Sequence, residues 1–491
     1  MKKYLQNIFI FLLATIAAGC YDDKGNYDYR QMPEVEISGI KDDYIVYALD
    51  SFKIPVTIKV SKEELKNVSY EWKLNGEVIF TEKDLNVLVN FPNKTGMYAE
   101  FDMIDNETGI KYIKTFKVSV TSSYKNGWMI LSDLGDKSQL CFMRNDNVFI
   151  ENIYYLSNKE YLSGGAYAMC EHFLPWSADA GQVFVACQKG PGYSVELDGN
   201  SLQKMIHTEK EFIDGAPADF CPQSMDAVTN WDYLISAGKL YTRENQSGYE
   251  AQYQEGSFPN FPATGDYELL PWTMRSNIFF SGDVIAFDKK HCSYVLLRSG
   301  EMNAFDYTND ATKAFNPNNM NKMLIAGGAT SVEYPNDHFL TFLRDLSSGE
   351  ILVQRFKFTG YRSKYSSTSE VVFPNASLIN EQSKFAVCIG RKYAYFTAGK
   401  TLYVYNYEDN LVTPLRDDFM GNIRDIALCA TNYERLGIAV ENAENPEKSD
   451  FMILDVSVVG GGKTIPGTEV KGKCGKVVDI LYKIGDQGEV M

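Results

Sequence analysis

The run in this sequence that most invites a chemical reading is Gly460-Gly461-Gly462-Lys463-Thr464. A phosphate-cradling loop needs a glycine five residues before the one that precedes the lysine, and a helix after the threonine. Ser457 stands at the first position and Pro466 interrupts the second, so the run reads as a hairpin turn. Metal chemistry needs clustered ligands. Cys170 and His172 share one side of a strand, with Glu171 between them, and His291 adjoins Cys292, but neither pair has a second pair nearby. His207 and His338 are isolated, and no calcium-binding D-x-D-x-D-G loop occurs. G-x-S-x-G and H-E-x-x-H are absent. A carboxylate pair of the glycosidase type cannot be picked out from 64 Asp and Glu. No catalytic residue, metal ligand or cofactor is therefore assigned.

Aromatic residues offer a binding reading instead. Between Tyr249 and Trp272 stand Tyr253, Phe258, Phe261 and Tyr267, among glycines and prolines. Rings on loops stack on sugar faces or grip extended peptides at modest entropic cost. Trp176 and Trp231 are further candidates of the same kind. The competing reading is that these rings seal joints between packed elements. Trp72 and Trp128 read as core residues, at a sandwich centre and a domain junction.

Compartment is read from the first twenty residues. Lys2 and Lys3 precede an apolar run, Ile8 to Ala18, of 11 residues. A membrane span needs roughly 20, so the run reads as a signal-peptide core. Ala17-Ala18-Gly19-Cys20 resembles the bacterial lipobox, with Ala17 where leucine is usual. That resemblance implies cleavage before Cys20 and a diacylated sulfur, a lipid anchor to the membrane. Asp22 and Asp23 resemble the export signal that sends such lipoproteins to the outer face of the outer membrane. A formal net charge of −16 disfavours a nucleic-acid partner. The other eight cysteines are widely spaced without a C-x-x-C pair, and Cys187 and Cys388 lie in apolar runs. Mostly free, buried thiols are expected.

The elements that must position these residues are strands throughout. From 32 to 123 the hydrophobic period is two: Phe52, Ile54, Val56, Ile58 and Val60 form one alternating run. Val68, Tyr70, Trp72 and Leu74 form another, running into the hairpin turn Asn75-Gly76. About seven short strands around one tryptophan predict an Ig-like β-sandwich. Tyr70-x-Trp72, followed late by Phe116-x-Val118-x-Val120, resembles the PKD-like sandwich. From 124 to 491 short apolar strands alternate with polar turns. Trp128-Met129-Ile130-Leu131 is echoed at Phe451-Met452-Ile453-Leu454, and Ala237-Gly238-Lys239 at Ala398-Gly399-Lys400. Both offsets divide into steps of about 54 residues, a blade length that predicts a β-propeller of about seven blades, with a six- or eight-bladed ring or a two-sheet sandwich array as the alternatives.

The order Cys20-Tyr21-Asp22-Asp23-Lys24-Gly25-Asn26-Tyr27-Asp28-Tyr29, sandwich, then Gly127-Trp128-Met129-Ile130-Leu131-Ser132 resembles the PKD-like family lipoproteins of Bacteroidetes. The resemblance implies residues 1–19 as signal, 20–31 as lipidated tether, then sandwich and propeller. It also implies a non-catalytic surface accessory beside a SusC/SusD-type outer-membrane importer, capturing a glycan or peptide for uptake. The alternative is a propeller hydrolase or lyase acting on an extracellular polymer.

Overall fold

The computed structural model describes residues 33–485, except 49, 62–64, 92–93, 173–179, 190–192, 229–230, 246–255, 276–282, 309–312, 332–336 and 360–363. The signal and tether, with Cys20, lie outside the described residues. The chain divides into two compact units between Thr121 and Ser122.

The first unit is a β-sandwich. A five-stranded sheet runs in the order Asp43–Tyr47, Lys111–Thr121, Met97–Asp105, Val68–Leu74, Glu77–Phe80, its first pair parallel. It shares one core with two strand pairs, Glu34–Ser38 with Thr57–Ser61 and Ser51–Ile54 with Leu85–Leu88. Trp72 is fully buried at its centre, 4.6 Å from the Phe101 ring, with its indole N–H donating to Glu82 O. Asn75 and Gly76 both take positive φ, as the tight hairpin requires. The alternating run from Phe52 to Val60 is not one strand. Pro55 has no N–H to give a ladder, and the chain changes partner there.

The second unit is an all-β ring of seven blades. The inner strands are Lys476–Lys483 (blade 1), Leu162–His172 (2), Pro222–Val228 (3), Leu269–Met274 (4), Lys322–Ser331 (5), Phe385–Val387 (6) and Ile423–Cys429 (7). Blades 1 and 2 are also joined where Lys137 and Ser138 pair with Ser163 and Leu162. Second strands begin at residues 127, 182, 231, 283, 337, 393 and 432. The Ala237 and Ala398 echoes fall on the same turn of blades 3 and 6. The Trp128 echo is out of phase: Trp128 is on a second strand, Phe451 on a third. The Gly460 run forms the turn between Ser449–Asp455 and Lys463–Thr464 in blade 7.

Second strands read as unbroken apolar runs because neighbouring blades cover both faces. In blade 1, Trp128 and Ile130 pack toward blade 7, while Met129 and Leu131 pack toward blade 2. In blade 2, Val183 and Val185 face blade 1 while Phe184 and Ala186 face blade 3. Each joint around the ring has its own apolar cluster, seven among the described residues. The ring closes where the C-terminal strand pairs with Gly127–Asp133, placing Trp128 opposite Tyr482 and Ile130 opposite Ile480. Trp128 is therefore a core residue of this closing joint, against Phe451 and Tyr482 and over Gly437. The eight described cysteines are free, and six are buried.

Trp128→Ala should cost roughly 3–5 kcal/mol, as truncation of a buried aromatic does. Phe261→Ala, at a side chain 67% exposed, should stay within about 0.5 kcal/mol of the parent. Calorimetric melting of both variants checks this, and equal losses would contradict the joint as drawn.

Candidate functional site

Adjacent blades share few or no ladder hydrogen bonds, so side chains must tie the inner strands together. Carboxylates do this. Asp425 on blade 7 accepts the Ile480 N–H of blade 1 at 2.8 Å, and Asp479 on blade 1 accepts the Met169 N–H of blade 2 at 2.6 Å. Glu171 on blade 2 reaches back, accepting the N–H groups of Ile484 and Gly485 at 2.7 and 2.9 Å. On blade 3, Asp226 accepts the Thr273 hydroxyl of blade 4 at 2.9 Å.

These strands enclose a cavity of about 500 Å³, to which blades 1–5 and 7 contribute. The short inner strand of blade 6 does not line it. There Val387 abuts Gly328, where a β-carbon would stand 3.0 Å from the valine's own. One wall carries Glu171, Asp226 and Asp479, from three successive blades. The remainder is apolar or small, including Trp272, Met274, Gly327, Ala427 and Leu428. Arg275 lies 3.3 Å from Asp226 Oδ1, but its guanidinium donates to the carbonyls of Ala227 and Glu171. Asp226 Oδ1 accepts no hydrogen bond.

Burial sets the proton affinity of this wall. It pushes the Asp479 carboxyl up to about 7, with the neighbouring Asp425 charge adding to the effect. Asp425 rises to about 6, again chiefly by burial, held back by Lys384 at 3.6 Å. Burial also raises Glu171 and Asp226, partly offset by Lys483 and Arg275 respectively.

Among the aromatic candidates, Trp272 is the one the structure places at this cavity, half-buried on its wall. The others do not join it. Phe258 is fully buried, stacked on Phe212 with the Arg243 guanidinium 4.5 Å from its ring. Tyr267 is buried in the joint of blades 3 and 4, its hydroxyl donating to Ala263 O and accepting the Leu240 N–H. Trp231 packs on the same joint over Gly300, whose φ of 77° brings the backbone under the indole. Phe258 and Tyr267 are buried packing residues, which removes them from a ligand-facing surface, while Trp231 is half-buried against the joint. Phe261 is exposed elsewhere, and Tyr253 and Trp176 lie outside the described residues. Cys170 lines the cavity, but among the described residues no three metal-binding side chains converge. His172 is buried, with Nδ1 3.9 Å from Asp232.

A second buried charge cluster joins blades 2 and 3. Arg243 pairs with Asp232 at 2.6 Å, with Glu196 at 3.2 Å and with Glu211. Burial and the Glu196 charge hold Glu211 well above the ordinary carboxylate range. It is wholly enclosed and reads as a structural strut. Two further hollows, of about 560 and 540 Å³, each draw on a more local stretch of chain, around Phe212 and around Arg435. The axial cavity gathers side chains from six blades, and it is the candidate site.

The family model described as the PKD-like family matches residues 20–165, the sandwich and the first propeller strands. The N-terminal region is PKD-like. No curated protein matches the chain in sequence. Among solved structures, a quinonprotein alcohol dehydrogenase-like protein of Bacteroides thetaiotaomicron VPI-5482 is 13% identical, covering 92% of this chain and 99% of its own at a TM-score of 0.44. The Cps50 (Swd1) β-propeller domain of Myceliophteria thermophila is 9% identical, covering 69% and 98% at 0.39. Apo AztD from Citrobacter koseri is 11% identical, covering 86% and 100% at 0.31. Likenesses this distant say nothing of activity, and the propeller stands on its own seven blades.

The raised aspartates make stability depend on pH. An unfolded aspartate titrates near 4, so between about pH 4 and 7 the folded chain holds protons that the unfolded chain has released. That contribution is present at low pH and lost as pH rises through 7. Asp479→Asn keeps an oxygen for the Met169 N–H and removes the charge. Its melting temperature should exceed the parent's by roughly 2–4 °C at pH 8, with the gap closing as pH falls toward 4. Parallel curves across that range would refute the shared burden of the pair.

Proposed function

We propose that this chain is a lipoprotein, anchored by Cys20 to the outer membrane and facing outward. Its propeller captures a glycan or peptide ligand in the axial cavity, without catalysis, beside a SusC/SusD-type importer. The observation that carries the capture reading is the cavity itself. It is about 500 Å³, with Trp272 on a wall built from six blades. Cavities of several hundred Å³ lined by apolar groups with a few placed polar ones are typical ligand sites. The sandwich serves as a spacer behind the lipid. The anchor rests on Lys2, Lys3, the 8–18 apolar run and the Gly19-Cys20 junction. Two acyl chains on the sulfur hold a protein to a bilayer stably, where one gives marginal attachment. Holding the cavity beside a transporter raises effective ligand concentration without any new contact.

A second reading, cleavage of an extracellular polymer, draws on Asp479, a cavity carboxyl titrating near neutrality as a general acid must. Against it, Asp479 and Asp425 each already accept a backbone N–H that ties two blades.

The test is expression of the full chain in a Bacteroidetes host. Cys20→Ser should move the protein out of the membrane fraction, and the parent should copurify with an importer. In a screen of oligosaccharides and peptides, the parent should retain a ligand unchanged. Trp272→Ala should weaken that binding about tenfold, the scale of one lost aromatic contact. Membrane retention of Cys20→Ser, or product accumulating on prolonged incubation, would overturn the anchor and the non-catalytic reading respectively.

A further inference from the structure

We infer that the axial cavity takes a primary ammonium group, either at the end of a lysine's apolar stem or at a peptide amino terminus. The inference rests on the reading of this cavity as the ligand site, and it names the ligand's chemistry.

Charge inventory is the first argument. Four carboxyls tie the inner strands here, and three have a cation of their own. Glu171 has Lys483 at 3.8 Å, Asp226 has Arg275 at 3.3 Å and Asp425 has Lys384 at 3.6 Å. Asp479 has no ion pair among the described residues, and it is the one that lies only partly buried on the cavity wall. Hydrogen bonding on the same wall points the same way. Asp226 is 6% exposed and lines the same cavity, yet its Oδ1 accepts no hydrogen bond. The nearest guanidinium is committed to the carbonyls of Ala227 and Glu171. A buried acceptor left unmade is costly, and a small rotation of Asp226 toward a donor in the cavity would satisfy it.

The rest of the wall fits the stem. Trp272, Met274, Ala427 and Leu428 offer apolar surface, and Trp272 also offers a ring face that attracts cations. A carboxylate-bearing ligand meets an acidic wall whose one arginine is occupied.

Binding is coupled to protons. The titratable and charged groups facing Asp479 are Asp425 and Lys384, with Glu171, Asp226, Arg275, Cys170 and Tyr482 on the same cavity. An entering ammonium favours ionised Asp479, so the pair releases a proton to solvent as the ligand binds. Affinity therefore rises with pH.

The experiment is calorimetric titration of the full chain with three tripeptides and one neutral sugar. Acetyl-Gly-Lys-Gly-amide carries only a side-chain ammonium, Gly-Gly-Gly-amide only a terminal one, and acetyl-Gly-norleucine-Gly-amide neither; maltotriose is the sugar. We expect one or both ammonium peptides to bind, and which one binds identifies the source of the group. The norleucine peptide should not bind. Affinity for the lysine peptide should increase about thirtyfold from pH 5.5 to 8, as loss of one proton from a group titrating near 7 implies, and that for Gly-Gly-Gly-amide about tenfold, because its own amine loses its proton near pH 8. Asp479→Asn, expected to fold at least as stably as the parent, should cost about tenfold or more at pH 8. Equal binding of the lysine and norleucine peptides overturns the inference. So does unchanged affinity in Asp479→Asn, or no binding by either ammonium peptide. Maltotriose bound in a manner that needs Trp272 but not Asp479 would overturn only the ammonium chemistry and keep the cavity. A probe bound independently of both residues would overturn the cavity as well.

Discussion

The propeller depends on one pairing: the strand Lys476–Lys483, at the far end of the chain, completes the blade begun by Gly127–Asp133. Without it the second strand of blade 1 would lose its inner partner. The apolar joint of Trp128, Phe451 and Tyr482 would also open to water. Ladder hydrogen bonds and a buried aromatic joint act at the same place, which suits a contact with a loop of over 300 residues to close. The same strand delivers Asp479 to the axis and donates its Ile480 N–H to Asp425. Closing the ring and building the cavity wall are therefore one event.

This explains why the acidic wall is not, in the first place, catalytic. Inner strands of neighbouring blades stand side by side with unspent backbone donors. Asp425, Asp479 and Glu171 satisfy four of these across the joints of blades 7, 1 and 2. Burial raises their proton affinity as a by-product of that bracing. What is left for a ligand is the one of these carboxyls without an ion pair of its own among the described residues, Asp479. The Arg243 cluster shows the enclosed version of the same device, with no access to solvent and no part in recognition.

The fold was largely legible in the sequence because its constraints are local. Asn75-Gly76 demands its hairpin. Second strands covered on both faces show as runs such as Val183-Phe184-Val185-Ala186-Cys187, and the turn at Ala237 recurs in phase at Ala398. The Trp128 echo misled in register, since any strand covered on both faces reads alike. Pro55 marked a change of strand partner that alternation alone ran through. The site was less legible. The described part of the aromatic stretch, from Phe258 to Trp272, runs from the joint of blades 2 and 3 to the inner strand of blade 4, so its rings part company between core, surface and cavity. The carboxylates went unmarked because each stands alone in its strand. Their spacing was the available signal: Glu171 and Asp226 are 55 residues apart, and Asp425 and Asp479 are 54, one blade in each case.

Native-state hydrogen exchange resolved to single amides tests ring closure most directly. If the C-terminal strand locks the ring and the carboxylates brace it, the amides of Met169, Ile480 and Ile484 should exchange as slowly as those of buried second strands such as Val183–Cys187. Exchange of the 476–484 amides on the timescale of exposed turns, while the second strands stay protected, would show an open ring and contradict the account.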